Sequence, residues 1–130
     1  MTVRQEILGE IEEAFGFVPG WLSDMPDAVL DQYWTNHVWV CNDSALSGRE
    51  KTLIAFGAAA AIHCGYRTPF HAAQLALFGM DEEQLKEAGW VVQNVTGASA
   101  YLHGVRYEQE TFGQELDALV EFRKKVALST

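Results

Sequence analysis

The chain has little of what marks secreted, nucleic-acid-binding or membrane proteins. It has two cysteines, Cys41 and Cys64, too few for the disulfide framework of a small secreted domain. Nine Lys and Arg stand against eighteen Asp and Glu, a formal net charge of -9, and an acidic surface repels nucleic acid and anionic lipid alike. The one basic cluster, "RKK" at 123–125, suits the last turn of a helix, where cations complement the dipole. No apolar run approaches bilayer length, and "MTVRQEILGEIEEAF" carries acids where a signal peptide needs a basic start and an unbroken apolar core. A cytoplasmic protein without nucleic-acid or membrane partners is expected. Convincing strand-like alternation is also missing, as are linkers and low-complexity segments.

What is present is a sequence with helical periodicity. At 130 residues, 48% hydrophobic, it is long enough to bury a core as one domain, 1–130. Val3, Ile7 and Ile11 form an i, i+4 stripe opposite Glu6, Glu10, Glu12 and Glu13. "GFVPGW" breaks that helix, and "SDMPD" opens a second one to about Cys41 whose apolar stripe, Leu30, Tyr33, Trp34, His37, Val38 and Cys41, turns His37 inward. Ser47 and Glu50 have capping-box spacing ahead of the alanine-rich "REKTLIAFGAAAAIH", whose small residues suit a central helix. Thr68 as cap, with Pro69 at the first position, is expected to open a fourth helix ending at Gly79. Asp81 and Gln84 repeat the capping pattern before a short helix, "EEQLKEAG". A further helix from Trp90 to about Phe112 follows, with Gly97 and Gly104 as marks of a close crossing, and a last one from Gln114 to about Ala127. The expectation is an all-α fold of six or seven helices.

Chemistry concentrates in "HCGYRTPFH", residues 63–71. A thiol near a helix start gains thiolate character, which would make Cys64 a nucleophile or redox thiol with His71 as base or proton shuttle. The competing reading is a small buried hydrophobe at a helix end. A metal site would need His63, Cys64 and His71 to converge, with His37 or His103 joining from other helices, and no paired ligand motif supports it, so no metal or cofactor is expected. Arg67, in a turn beside an apolar helix, must reach water, pair with an acid or hold an anionic ligand.

The stretch "LSGREKTLIAFGAAAAIHCGYRTPFHAAQLALFGMDEEQLKEA" resembles the core of the carboxymuconolactone decarboxylase and AhpD-like alkylhydroperoxidase superfamily, and "FGFVPGWL" is similar to its entry segment. The resemblance implies a Cys-x-x-Cys-x-x-x-His element with its first cysteine at Cys64 and its histidine at His71. The second cysteine position holds Arg67, and the relay glutamate position falls near Thr52, two residues from Glu50. An intramolecular dithiol cycle then lacks its resolving thiol, unless the fold brings Cys41 to Cys64.

The implied activities are a thiol-dependent peroxidase using Cys64, regenerated by an external thiol or Cys41, or a cofactor-free decarboxylase, lyase or isomerase in which Arg67 clamps a small carboxylate and His71 moves a proton. A non-catalytic oligomeric small-molecule binder is the third reading. His63, Tyr66, His37 and His103 are the expected substrate-binding residues, with Tyr101 nearby. Homotrimers or homohexamers are implied as well, and the aromatic content fits apolar surface that a partner covers.

Overall fold

The computed structural model describes residues 1–129; Thr130, the last residue of the expected domain, lies outside them. Seven α-helices and no strand occur among the described residues: α1 Val3–Phe15, α2 Gly20–Ser23, α3 Asp27–Cys41, α4 Gly48–Ala61, α5 Arg67–Leu77, α6 Glu82–Gly104 and α7 Gln109–Ser129. They divide into two compact units, one covering Met1–Leu85 and the other running from Lys86 onward.

In the first unit α1 packs on α3, and α4 packs on both α3 and α5. Ile7 and Ile11 of the α1 stripe, with Leu22, Leu30 and Trp34, form a buried cluster to which Phe15, Val18, Met25 and Tyr33 add. Val3, in the first turn, stays exposed. Each fully buried side chain of this size contributes roughly 1.5–3 kcal/mol relative to exposure. Polar bonds fix how the helices meet. Trp34 Nε1–H donates to Glu10 Oε2 at 2.8 Å, and Arg4 Nη1 reaches both Met25 O and Asp27 Oδ1.

The α3–α4 junction is tighter than the sequence indicates. A Cβ on Gly48 would lie 2.2 Å from Cys41 O, so the backbones touch where only glycine fits. One turn along α4, the buried ammonium of Lys51 donates to Trp39 O and Asn42 O, each at 2.8 Å, and sits 3.8 Å from the Trp39 ring centroid. This cation occupies the end of α3 whose carbonyls lack intrahelical partners.

Two helix starts follow the capping patterns expected from the sequence, and the start of α1 adds a third box. Thr2 and Gln5, Ser47 and Glu50, and Asp81 and Gln84 each exchange reciprocal cap bonds. The start of α5 differs from expectation. Thr68 does not cap it; the helix begins at Arg67, because Cys64 accepts the backbone N–H of Arg67 on its sulfur and that of Thr68 on its carbonyl. Pro69 still falls within the first turn, where its missing N–H costs nothing. At the other end Gly79, at φ +88°, closes α5 by donating to Ala76 O while Met80 donates to Leu75 O.

Two further boundaries differ. "EEQLKEAG" does not end as a separate helix: Gly89 keeps a helical backbone, and α6 runs unbroken from Glu82 to Gly104. There the chain turns through Arg106, at φ +54°, and α7 begins at Gln109 rather than Gln114. Gly97 and Gly104 mark no close crossing among the described residues, since a Cβ on Gly104 would meet nothing within 4 Å and one on Gly97 only the Gln93 side chain.

Candidate functional site

The α4–α5 junction separates residues that are adjacent in sequence. His63 takes a left-handed backbone, φ +56°, and its N–H bonds to Ala60 O while that of Cys64 bonds to Ala59 O. That is the geometry usually given to glycine at the end of a helix, so the backbone of His63 closes α4 while its side chain is exposed. Tyr66 is 88% exposed.

Between them, half-buried Cys64 sits at the start of α5, its Sγ 3.3 Å from the N–H of Arg67. The backbone N–H groups of Arg67 and then Tyr66 pull the thiol below its ordinary value, with the Arg67 charge assisting against desolvation.

Arg67 projects to α3. Its Nη1 donates to Tyr33 OH at 2.9 Å, and its guanidinium carbon lies 4.4 Å from the Phe70 ring centroid and 5.7 Å from that of Tyr33. No carboxylate pairs with it among the described residues. Both neighbouring imidazoles are held below the ordinary histidine value: His37 by burial and then by the charges of Arg67 and His71, and His71 by burial and the Arg67 charge, against the hydrogen bond it donates to Gln74. The His37 ring is nearly parallel to those of Tyr33 and Trp34, with centroids 6.0 and 5.1 Å away, and Phe70 is tilted against it at 5.8 Å.

A side-chain chain joins the two histidines through the second cysteine. His71 Nδ1 lies 2.9 Å from Gln74 Oε1, Gln74 Nε2 donates to Cys41 Sγ at 3.5 Å, and Cys41 Sγ lies 3.6 Å from His37 Nε2. The direction of the first bond then follows. The amide oxygen only accepts, so His71 Nδ1 carries the proton and, in the neutral ring, Nε2 is left as an open base. Burial pushes the Cys41 thiol up, opposed by the Gln74 bond, so it stays protonated beside His37 Nε2.

The structure therefore gathers Arg67, His71 and His37, with Cys64 at the edge through the backbone of Arg67. It does not place His63 or Tyr66 among them. His103 belongs to the second unit, where its Nδ1 bonds to Ser99 O at 2.8 Å, and Tyr101 there is exposed. Thr52, at the relay position, is buried and donates to Gly48 O, while Glu50 is occupied in its capping box. Sequence reasoning missed Tyr33, Phe70 and Gln74. The one available signal was spacing, since Gln74 follows His71 by three positions on one face of α5, as Cys41 follows His37 by four on α3.

No three His, Cys, Asp or Glu side chains converge as metal ligands among the described residues, and no helix there is long and apolar enough to cross a membrane. The protein is all-helical, with a thiol at a helix start held by the backbone of an arginine whose charge acts on two neutral imidazoles. The Carboxymuconolactone decarboxylase family model matches residues 27–110, more than half of the chain and across both units, and the chain belongs to that family. Neither the curated proteins nor the solved structures give a match to it.

Proposed function

We propose that the protein is a thiol-dependent peroxidase acting through Cys64 alone. The observation that carries this reading is the Arg67 N–H on Cys64 Sγ, which favours the nucleophilic thiolate in a half-exposed setting. The thiolate attacks one oxygen of a hydroperoxide, the O–O bond breaks, and the leaving alkoxide takes up the proton released by the thiol. Cys64 becomes a sulfenic acid and the hydroperoxide becomes an alcohol. His71, neutral and open at Nε2, shuttles the proton through the bound substrate or water.

Arg67 stands where a second cysteine would resolve the sulfenic acid, and Cys41 is engaged by His37 and Gln74. Two external thiols therefore complete the cycle, giving a disulfide, water and the restored Cys64 thiol. The test is hydroperoxide consumption with an excess of a small thiol, together with sulfenic-acid labelling. Both should vanish in Cys64→Ser, and unchanged consumption in that variant would refute the reading.

The second reading is a cofactor-free lyase or isomerase on a small carboxylate. It is favoured by Arg67, a part-buried cation without a carboxylate partner among the described residues, and by neutral His71. In it Arg67→Ala abolishes binding of the anionic substrate while Cys64→Ser stays active. For either reading we propose a single functional domain, a cytoplasmic setting and self-association as a trimer or hexamer. Exposed apolar side chains such as Trp90, Val95, Leu119 and Phe122 on α6 and α7 support the last point.

A further inference from the structure

The first unit carries a cavity of about 770 Å³, walled by α1, α3 and α5 and by the α2 segment. Phe15, Trp21, Trp34, Phe70, Leu77 and Phe78 give it an aromatic and aliphatic wall, and neither Cys64 nor Arg67 lines it. Its polar end is formed by His37, Cys41, Asn42 and Gln74, and no Asp, Glu, Lys or Arg lines it anywhere. We propose that this cavity binds a small neutral aromatic molecule carrying one hydroxyl or carbonyl group, at a site that shares His37 with the cluster around Arg67 but leaves Cys64 outside its wall.

Four features point to that occupant. The volume lies within the range of small-molecule pockets, which are mostly apolar with a few convergent polar groups. Trp21 meets Tyr33 and Phe70 edge-on, at 5.4 and 6.3 Å between centroids, an arrangement that a further flat ring extends. Phe17 and Trp21 remain 63% and 46% exposed, apolar surface that a ligand would take out of water. An ion of either sign would lose its hydration with no opposite charge to meet, because His37 is held neutral and Cys41 protonated.

The polar end also matches one ligand group. The Cys41 sulfur is held only by long contacts, 3.5 Å from Gln74 Nε2 and 3.6 Å from His37 Nε2. A hydroxyl or carbonyl oxygen takes the Gln74 amide hydrogens more strongly than sulfur does. A second copy of this chain laid over the mouth would cover the aromatic wall but would have no need of this polar end.

The experiment is isothermal titration calorimetry of the full chain at pH 7 with 2-naphthol, and with 2-naphthoate as its charged counterpart. Saturable binding of one naphthol per chain is expected, with naphthoate weaker by about tenfold or more. Ala73→Trp, at an exposed lining position, should fill the mouth and weaken naphthol binding by about tenfold or more with helical circular dichroism unchanged. Leu77→Glu, at a position 89% exposed, should weaken it without occupying the cavity. Absence of saturable binding, equal affinity for the anion, or wild-type affinity in both variants would overturn the proposal. So would a change in assembly mass on Ala73→Trp with no naphthol binding by the native chain, which would assign the groove to a second copy.

Discussion

Replacing Gly48 by alanine should damage this protein far more than the same change at Gly9, Gly97 or Gly104, where an added methyl has room. The new Cβ would stand 2.2 Å from Cys41 O, 2.7 Å from Cys41 C and 3.1 Å from Phe78 Cζ. A carbon and a carbonyl oxygen normally approach no closer than about 3.3 Å. The end of α3 and the start of α4 must therefore separate by about 1 Å, and backbone cannot rotate away as a side chain does. Overpacking alone costs about 1–3 kcal/mol. The same displacement stretches the two 2.8 Å bonds of Lys51, and losing one charged hydrogen bond adds roughly 1.5–3 kcal/mol. The total, about 2.5–6 kcal/mol, is a large part of the 5–15 kcal/mol typical of a folded domain. Urea unfolding followed by circular dichroism measures it directly. Gly9→Ala is the control, because a Cβ there meets nothing within 4 Å in the middle of α1, and it should stabilise by about 0.5–1 kcal/mol. A Gly48→Ala midpoint within about 1 kcal/mol of wild type would show that the glycine does not set the α3–α4 spacing.

Alkylation by iodoacetamide, followed by peptide mass spectrometry across a pH series, should find Cys64 reacting at lower pH than Cys41, since one thiol is pulled down and the other pushed up; the reverse order refutes both assignments. Stability should fall as pH drops from about 7.5 to 5.5. His37 and His71 are both lowered from 6.5, so near that pH the unfolded chain binds protons that the folded chain does not. Their contribution is complete above the unfolded value and is lost on the way down to the folded one; a urea midpoint that is flat or rises with acidification would contradict it. His63→Gly should raise stability by up to about 1 kcal/mol, because glycine carries no penalty in the left-handed position that closes α4. A destabilised variant would mean that the imidazole itself holds the junction.

What could be read from the sequence divides along the line between local and distant contacts. The inward turn of His37, the α1 stripe and the capping boxes at Ser47 and Asp81 depend on residues three or four apart, and local spacing exposes them. The bond from Arg67 to Tyr33 spans 34 positions and that from Gln74 to Cys41 spans 33, and no pattern along the chain announces such meetings. Thr68 looked like a cap because its type suits the role, yet a cysteine sulfur three residues before Arg67 had already taken the first N–H. Gly89 looked like a stop, but a glycine ends a helix only when its backbone turns left-handed, as Gly79 does. Lys51 gave no warning at all, because burying a lysine requires carbonyls that only the α3–α4 meeting supplies.

The capping boxes also bear on how the chain reaches this structure. Thr2 with Gln5, Ser47 with Glu50 and Asp81 with Gln84 each close a loop of four residues, which forms without waiting for distant partners. Helix nucleation is the slow, unfavourable step, and these boxes lower it at fixed points in α1, α4 and α6. They also act as index marks. A slip of one residue in α4 would rotate it by about 100° and carry Thr52 and Ala59 out of the core, and Ser47 bars that slip before any packing has occurred. The register of the helix leading to Cys64 is thus fixed by local bonds at its start as well as by its packing on α3 and α5.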